Sequence, residues 1–179
     1  MLAAMRAMSV SRLGGPEVLE LVDLPCPEPL PTEVLVRVVA AGVNPVDWKT
    51  RAGRGMAGVL GDPPFVVGWD VAGVVEAVGR GVTMLAPGDE VFGMPWFPRA
   101  AGAYAEYVTA PSRQFARKPA QLSFEQAGGL ALAGLTAWQI LVDTANVQPG
   151  QRVLITAAAG GVGHLATQVA KARRAIVVG

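Results

Sequence analysis

Ile155 to Ala166 reads ITAAAGGVGHLA, and the fold turns on what this stretch is. A pyrophosphate needs backbone N–H groups at a helix N-terminus and a turn in which no side chain holds the phosphates away. From Ala157 to Gly163 every residue but Val162 is small. Gly160 and Gly161 fall in the turn, and Gly163 falls where the helix must approach the strand closely. Glycines alone mark many tight turns, so the flanks decide. Upstream, Val153, Leu154 and Ile155 form a continuous apolar run, the pattern of a parallel strand buried on both faces. Downstream, Val162, Leu165, Ala166, Val169 and Ala170 recur at helical spacing, and AIVVG is a second strand of the buried type. Strand, helix and strand within about 30 residues make a βαβ unit with the glycine turn at its first corner.

The acid or base that reads the ribose 2′ position is expected roughly 20 residues past such a turn. That place lies at or beyond Gly179, so residues 123–179 are expected to hold an incomplete nucleotide-binding domain. The domain opens at SFEQ, where Ser123 can cap a helix and Gln126 can reach back. The apolar run from Ala127 to Val142 is interrupted by Thr136 and Gln139. It falls short of the ~18 apolar residues a membrane span wants and reads as a buried helix. His164, with Thr167, Gln168 and Lys171, falls on the polar face of the helix after the turn and is expected to be solvated. Lys171, Arg173 and Arg174 complement the dipole at its end.

Residues 1–122 have another grammar, in which short β-prone runs are divided by Gly and Pro. In EVLVRVVAAGV, Val34, Val36 and Val38 alternate and give one apolar face. FVVGWDVAGVVEAVG, DEVFGMP and AYAEYVTAP continue the pattern, and GGP and APGD mark turns. An irregular β-barrel is expected, with PCPEPLP as an extended crossing and Cys26 an unpaired surface thiol. The fold class is thus mixed α/β, a barrel followed by the first βαβ unit of a Rossmann domain.

Composition narrows the function. The 179 residues are 51% hydrophobic and 16% charged, with a formal charge of +1, so no electrostatic footprint for nucleic acid or a membrane surface is present. One cysteine excludes an intramolecular disulfide and a cysteine-ligated metal cluster. No signal peptide is read in MLAAMRAMSVSRLGG, Met5 is an alternative start, and a cytoplasmic setting is expected.

Gly150, Gln151, Leu154, Ala158-Ala159-Gly160-Gly161, Gly163, Gln168 and Lys171 stand in register with the signature of a known family. The region resembles the quinone oxidoreductase, or zeta-crystallin-like, branch of the medium-chain dehydrogenase/reductases. AAGVNPVDWKTRAG, VVGWDVAGVVEAVG, PGDEVFG, GAYAEYV and LALAGLTAW are similar to successive blocks of that family, in its order. The resemblance implies a GroES-like substrate domain before the cofactor domain. It also implies hydride transfer from a nicotinamide, NADP(H) rather than NAD(H), to a quinone-like or enone-like small molecule. Zinc-dependent relatives carry Cys in the block ending at Asp47 and Gly-His-Glu at Gly68; here those places hold Asn44, Trp69 and Asp70. Asn and Trp are not zinc ligands in place of Cys and His, and no four-cysteine lobe is present, so no zinc is expected. A substrate oxygen is then polarised by hydrogen bonds, or hydride goes to a carbon activated by conjugation.

The resemblance makes Asn44 the candidate polar group beside the nicotinamide; by itself, Asn before Pro45 starts a turn equally well. Asp47 orients that site or caps a helix. Thr136 resembles the family threonine near the nicotinamide. Ala159, Gly160, Gly161, Val162 and Gly163 are the expected cofactor-binding turn. Trp48 and Trp69 are candidates for a planar-substrate pocket, and Trp96 is expected in the core. Many relatives carry a tyrosine soon after Arg-x-Gly, where this chain has Arg54-Gly55-Met56, so the general acid is unassigned and solvent can deliver the proton. Relatives also end the helix with Gly where this chain has Arg174.

Two other readings stand beside this one. A non-catalytic GroES-like module would act through protein contacts, and self-association into a homo-oligomer is left open. A short-chain dehydrogenase is set aside, because neither Tyr104 nor Tyr107 precedes a lysine at Tyr-x-x-x-Lys spacing.

Overall fold

The computed structural model describes residues 4–179. The first three residues of MLAAMRAMSVSRLGG, in which no signal peptide is read, lie outside them. The chain divides into two compact units, one ending at Gly129 and the other Leu130–Gly179.

The first unit is built from two sheets. β1 (Met5–Val10) pairs antiparallel with β2 (Leu19–Leu24), from Met5 opposite Leu24 to Val10 opposite Leu19, and also with β4 (Phe65–Val66). The second sheet has the order β7-β3-β5-β6-β8. Its strands are β3 (Glu33–Ala41), β5 (Val71–Val78), β6 (Glu90–Gly93), β7 (Tyr107–Pro111) and β8 (Phe115–Arg117). The expected alternation holds, because Val34 and Val36 enter the core with Val71, Val75, Val91 and Val108, and Val38 packs against it. Each such valine stabilises the fold by roughly 1.5–2 kcal/mol relative to exposure. Leu35, on the opposite face, is buried too and shares a small cavity with Cys26, Pro27 and Pro29 of the Pro-rich crossing. Cys26 is unpaired and half-buried, and burial pushes its thiol up. Register shifts at Leu35/Val36 and Val38/Ala40 bend β3 against β5.

Two short helices follow β3, α1 (Pro45–Arg51) and α2 (Ala57–Leu60). α3 (Phe124–Gly128) starts with the expected box, in which Gln126 N–H donates to Ser123 Oγ at 3.2 Å and Ser123 N–H to Gln126 Oε1 at 2.9 Å. This helix packs on β3 and β5. The expected junction at 122/123 and the contact boundary at Gly129/Leu130 therefore differ by α3: its sequence grammar is helical, and its packing partners are strands of the barrel.

The apolar run read as one buried helix is interrupted at Gly128-Gly129. It continues as α4 (Ala131–Trp138) and a π-helical segment Gln139–Thr144. Ala131, Ala133, Ala137 and Leu141 are buried, whereas Leu135, Trp138 and Ile140 are exposed on the other face. The second unit is completed by β9 (Arg152–Leu154), α5 (Gly161–Ala172) and β10 (Ile176–Val178), the predicted βαβ unit with parallel strands. Its core joins Ala137, Leu141, Ile155, Ala166 and Ala170. Burial on both faces of β9 is corrected, because Val153 and Ile155 pack into that core while Leu154 is 71% exposed. Ile176 and Val178 of β10 are exposed as well. Among the described residues no helix is long and apolar enough to cross a membrane.

After α5 the chain turns through Arg174 at φ +60°, and its carbonyl accepts from Gly150 N–H at 2.9 Å. A side chain in this left-handed region is strained, so Arg174→Gly is expected to stabilise the chain by roughly 1 kcal/mol. The urea midpoint would rise; a lower midpoint would show that the arginine is unstrained there.

Candidate functional site

Two clusters carry chemistry, one in each unit. In the second unit β9 leads through Ile155 into a turn over Thr156–Gly160. Ala157 holds a left-handed φ of +53°, and its carbonyl accepts from Gly160 N–H at 2.8 Å. α5 then begins at Gly161 with no side-chain cap and no acidic residue in its first turn. The early N–H groups of a helix have no partner within it, and their partial positive charge favours an anion. A Cβ built on Gly163 would stand 2.1 Å from the Ala157 carbonyl oxygen, so α5 sits directly on the turn. A Cβ at Gly161 would meet nothing within 4 Å. Ala159, Gly160 and Gly161 are exposed, Val162 is half-buried and Gly163 buried. The turn thus offers open space over helix N–H groups, which fits a pyrophosphate. His164 is exposed, with Nδ1 2.9 Å from the Gly160 carbonyl oxygen.

In the first unit, Asn44 ends the extended segment after β3 and caps α1, where Pro45 at the first helical position is preset for helix. Asp47, one turn on, reaches back, and Asn44 N–H donates to its Oδ2 at 2.6 Å. Asn44 gives its own side-chain amide to Asp70 Oδ2 at 2.8 Å. Tyr104 O–H donates to Asp47 Oδ2 at 2.9 Å. Asp47 and Asp70 are both buried, and Oδ1 of Asp47 has no hydrogen-bond partner among the described residues. Asp47 therefore both caps a helix and supports Asn44. Sequence pattern marks Tyr104 as part of a β-prone run with no lysine at Tyr-x-x-x-Lys spacing, and Asp70 as standing where zinc-dependent relatives have Glu; it marks neither as a partner of Asp47 or Asn44. Their partners lie 57 and 26 residues away, a separation no local pattern encodes.

The remaining candidates are more dispersed. Trp48 is 42% exposed on α1, with Lys49 Nζ and Arg54 Cζ within 6 Å of its ring centre at 5.5 and 5.8 Å. Trp69 has no exposed surface. Its indole N–H donates to the Arg99 carbonyl at 2.6 Å, and Phe97 meets it in a T-shaped contact. A fully enclosed ring does not line a pocket, so the pocket role expected of Trp69 is corrected to packing beneath Phe97. Trp96 packs against the barrel core and donates its indole N–H to the Thr109 carbonyl. Thr136 is half-buried, and its hydroxyl donates to the Leu132 carbonyl one turn back at 2.8 Å. Among the described residues no three His, Cys, Asp or Glu side chains form a group that could hold a metal ion.

Burial pushes the Asp47 carboxyl above the usual range, against the lowering effect of Asn44 N–H and then Tyr104 O–H. A carboxyl raised on folding favours the folded state below its unfolded pKa, and that advantage is lost as pH rises through the folded value. The stability of Asp47→Asn relative to the native chain should therefore increase from about pH 4 toward neutrality. Urea midpoints across that range check this; a constant difference would mean that folding leaves the Asp47 pKa unshifted.

The family profile of the Alcohol dehydrogenase GroES-like domain matches residues 30–120. Quinone oxidoreductase of Homo sapiens is 40% identical over 169 residues, 94% of this chain and 50% of that protein. The NADPH-dependent alkenal/one oxidoreductase, chloroplastic, of Arabidopsis thaliana is 42% identical over 174 residues, 93% of this chain and 44% of that protein. Among solved structures, the quinone oxidoreductase from Coxiella burnetii aligns with a TM-score of 0.90 at 44% identity, covering 97% of this chain and 55% of that chain. The chain spans about half the length of the curated relatives it matches. The barrel and the βαβ unit are thus GroES-like and Rossmann-like parts, as the family resemblance implied.

Proposed function

The chain belongs to the alcohol dehydrogenase GroES-like family of the medium-chain dehydrogenase/reductases, and on that premise we propose that it serves NADPH-dependent, zinc-independent reduction of a quinone or an α,β-unsaturated carbonyl. The observation that carries the proposal is the open glycine turn at the head of α5, where a Cβ on Gly161 would meet nothing within 4 Å. The relatives' names support the choice of NADPH and of conjugated carbonyl substrates.

In this reading Ala159, Gly160, Gly161, Val162 and Gly163 hold the pyrophosphate through backbone N–H groups. NADPH bound there supplies the hydride. Asn44 offers a hydrogen bond to the substrate carbonyl, and its attachment to Asp70 and Asp47 keeps it from swinging away. Hydrogen bonding suits an acceptor that conjugation already activates, because hydride addition leaves an enolate or hydroquinone anion rather than a free alkoxide. One solvent proton then completes the reduction. Asp47 in the first unit and Thr136 in the second are the further polar residues assigned to this reading, and Trp48 is an exposed aromatic available to a planar substrate. Asn44 and the buried Trp69 stand where zinc-binding relatives have ligands, which supports chemistry without that metal.

Titrating the chain with NADPH while following nucleotide fluorescence tests the proposal, with saturable binding expected and NADPH consumption on adding a quinone in the presence of a chelator. Absence of saturable binding would overturn it. The exposed Leu154, Ile176 and Val178 favour a second reading, a module that acts by protein contact, and the same titration separates the two.

A further inference from the structure

Tyr104 lies in the bend ahead of β7 and is held on several sides. Its backbone N–H donates to the Val67 carbonyl at 3.1 Å, and its carbonyl accepts from Met8 N–H at 2.8 Å. Its ring packs against the cluster of Val10, Val18 and Val67 and lies over Gly68, where a Cβ would come within 2.5 Å of it. The ring so fixed delivers one hydroxyl to one acceptor, Asp47 Oδ2.

That acceptor has few alternatives. Asp47 is 2% exposed, and with Oδ1 unpartnered among the described residues its charge is compensated at Oδ2 alone, by Asn44 N–H and Tyr104 O–H. A buried carboxylate that loses one of two donors is strongly disfavoured as the ion. Burial and the nearby Asp47 charge push the Tyr104 hydroxyl far up, so it stays a neutral donor at all ordinary pH. The other charged groups that act on it are Arg51 on α1, which opposes that rise, and Asp70 ahead of β5, which adds to it.

We propose that Tyr104 is a positioning residue for Asn44: through Asp47 Oδ2 it holds the carboxylate that secures the Asn44 backbone at the start of α1, while Asp70 secures the Asn44 amide. The consequence for turnover rests on the function proposed above; the coupling itself does not. Loosening one end of this chain frees Asn44 to leave its place, and small misplacements of a substrate-orienting group lower turnover by roughly 10- to 100-fold.

The test compares the native chain with Tyr104→Phe, which removes only the hydroxyl, and with Tyr107→Phe as a control on the neighbouring strand β7. Carbon-13 NMR follows the Asp47 carboxyl through a pH titration, and hydrogen exchange follows Asn44 N–H. In Tyr104→Phe the Asp47 titration should move to higher pH and Asn44 N–H should exchange about tenfold faster, while Tyr107→Phe changes neither. With NADPH and a quinone, kcat should fall with KM nearly constant, and the acidic limb of the rate profile should move up with the Asp47 titration. An unmoved Asp47 titration or unchanged Asn44 exchange in a folded Tyr104→Phe chain overturns the proposal. If the native chain reduces no quinone, the functional reading fails, and the two NMR measurements still decide whether Tyr104 holds Asn44.

Discussion

Gly163→Ala is expected to destabilise the Leu130–Gly179 unit by roughly 3 kcal/mol and to abolish saturable NADPH binding. The added methyl would stand 2.1 Å from the Ala157 carbonyl oxygen and 2.9 Å from both the carbonyl carbon of Ala157 and the Cα of Ala158. Those atoms are backbone, so no side-chain rotation relieves the overlap. Either α5 lifts from the turn or the turn unwinds. Lifting α5 separates Ala166 and Ala170 from Ile155 and Leu141, and unwinding removes the Gly160 N–H to Ala157 bond that shapes the cradle. Gly161→Ala provides the contrast, since its methyl meets nothing within 4 Å and its φ is not in the left-handed region. Its stability should stay within about 0.5 kcal/mol of the native chain, while NADPH affinity falls because the methyl occupies the space proposed for phosphate. Urea unfolding and nucleotide fluorescence on both variants check the pair. A Gly163→Ala chain as stable as Gly161→Ala would show that α5 does not rest on the turn.

Gly68→Ala is expected to have an effect of similar size, roughly 2–4 kcal/mol. Gly68 sits at φ +96°, a conformation that strains any residue with a Cβ, and the new methyl would lie 2.5 Å from Cδ1 and 2.7 Å from Cε1 of Tyr104. The ring has little freedom to retreat, because its hydroxyl is bonded to Asp47 and its backbone is pinned on both sides. The overlap should therefore be relieved in part by removing the ring. In a double-mutant cycle, Tyr104→Ala should cost less in the Gly68→Ala background than alone, with a coupling of about 1 kcal/mol. Additive effects would mean that the backbone conformation, not the ring, dictates glycine at this position.

Much of the architecture was legible from local pattern. Helical spacing from Val162 to Ala170, the box at Ser123 and Gln126, and the alternation of Val34, Val36 and Val38 each encode an element within one or two turns of chain. The same locality explains the misreadings. Hydropathy treats Ala127–Val142 as one segment, but Gly128-Gly129 interrupts it and packing covers only its alanine-rich side. Val153-Leu154-Ile155 looks uniformly buried because composition does not say which faces have neighbours. Asn44 and Asp47 are singled out one by one through the family resemblance, whereas Asp70 and Tyr104 meet them from 26 and 57 residues away, where no local pattern points to them. Trp69 shows the opposite limit: an aromatic beside a site motif looks like a pocket wall until its enclosure by Phe97 and the Arg99 carbonyl is seen.

Leu154, Ile176 and Val178 are large apolar side chains exposed on two three-residue parallel strands. Such short strands also leave N–H and C=O groups available for pairing, which makes them a template for adhesion between chains. At high concentration those exposed side chains should draw neighbouring copies together. A nucleotide titration on this chain therefore competes with colloidal behaviour, and its midpoint should drift with protein concentration unless a mild detergent or a covering partner shields those three residues.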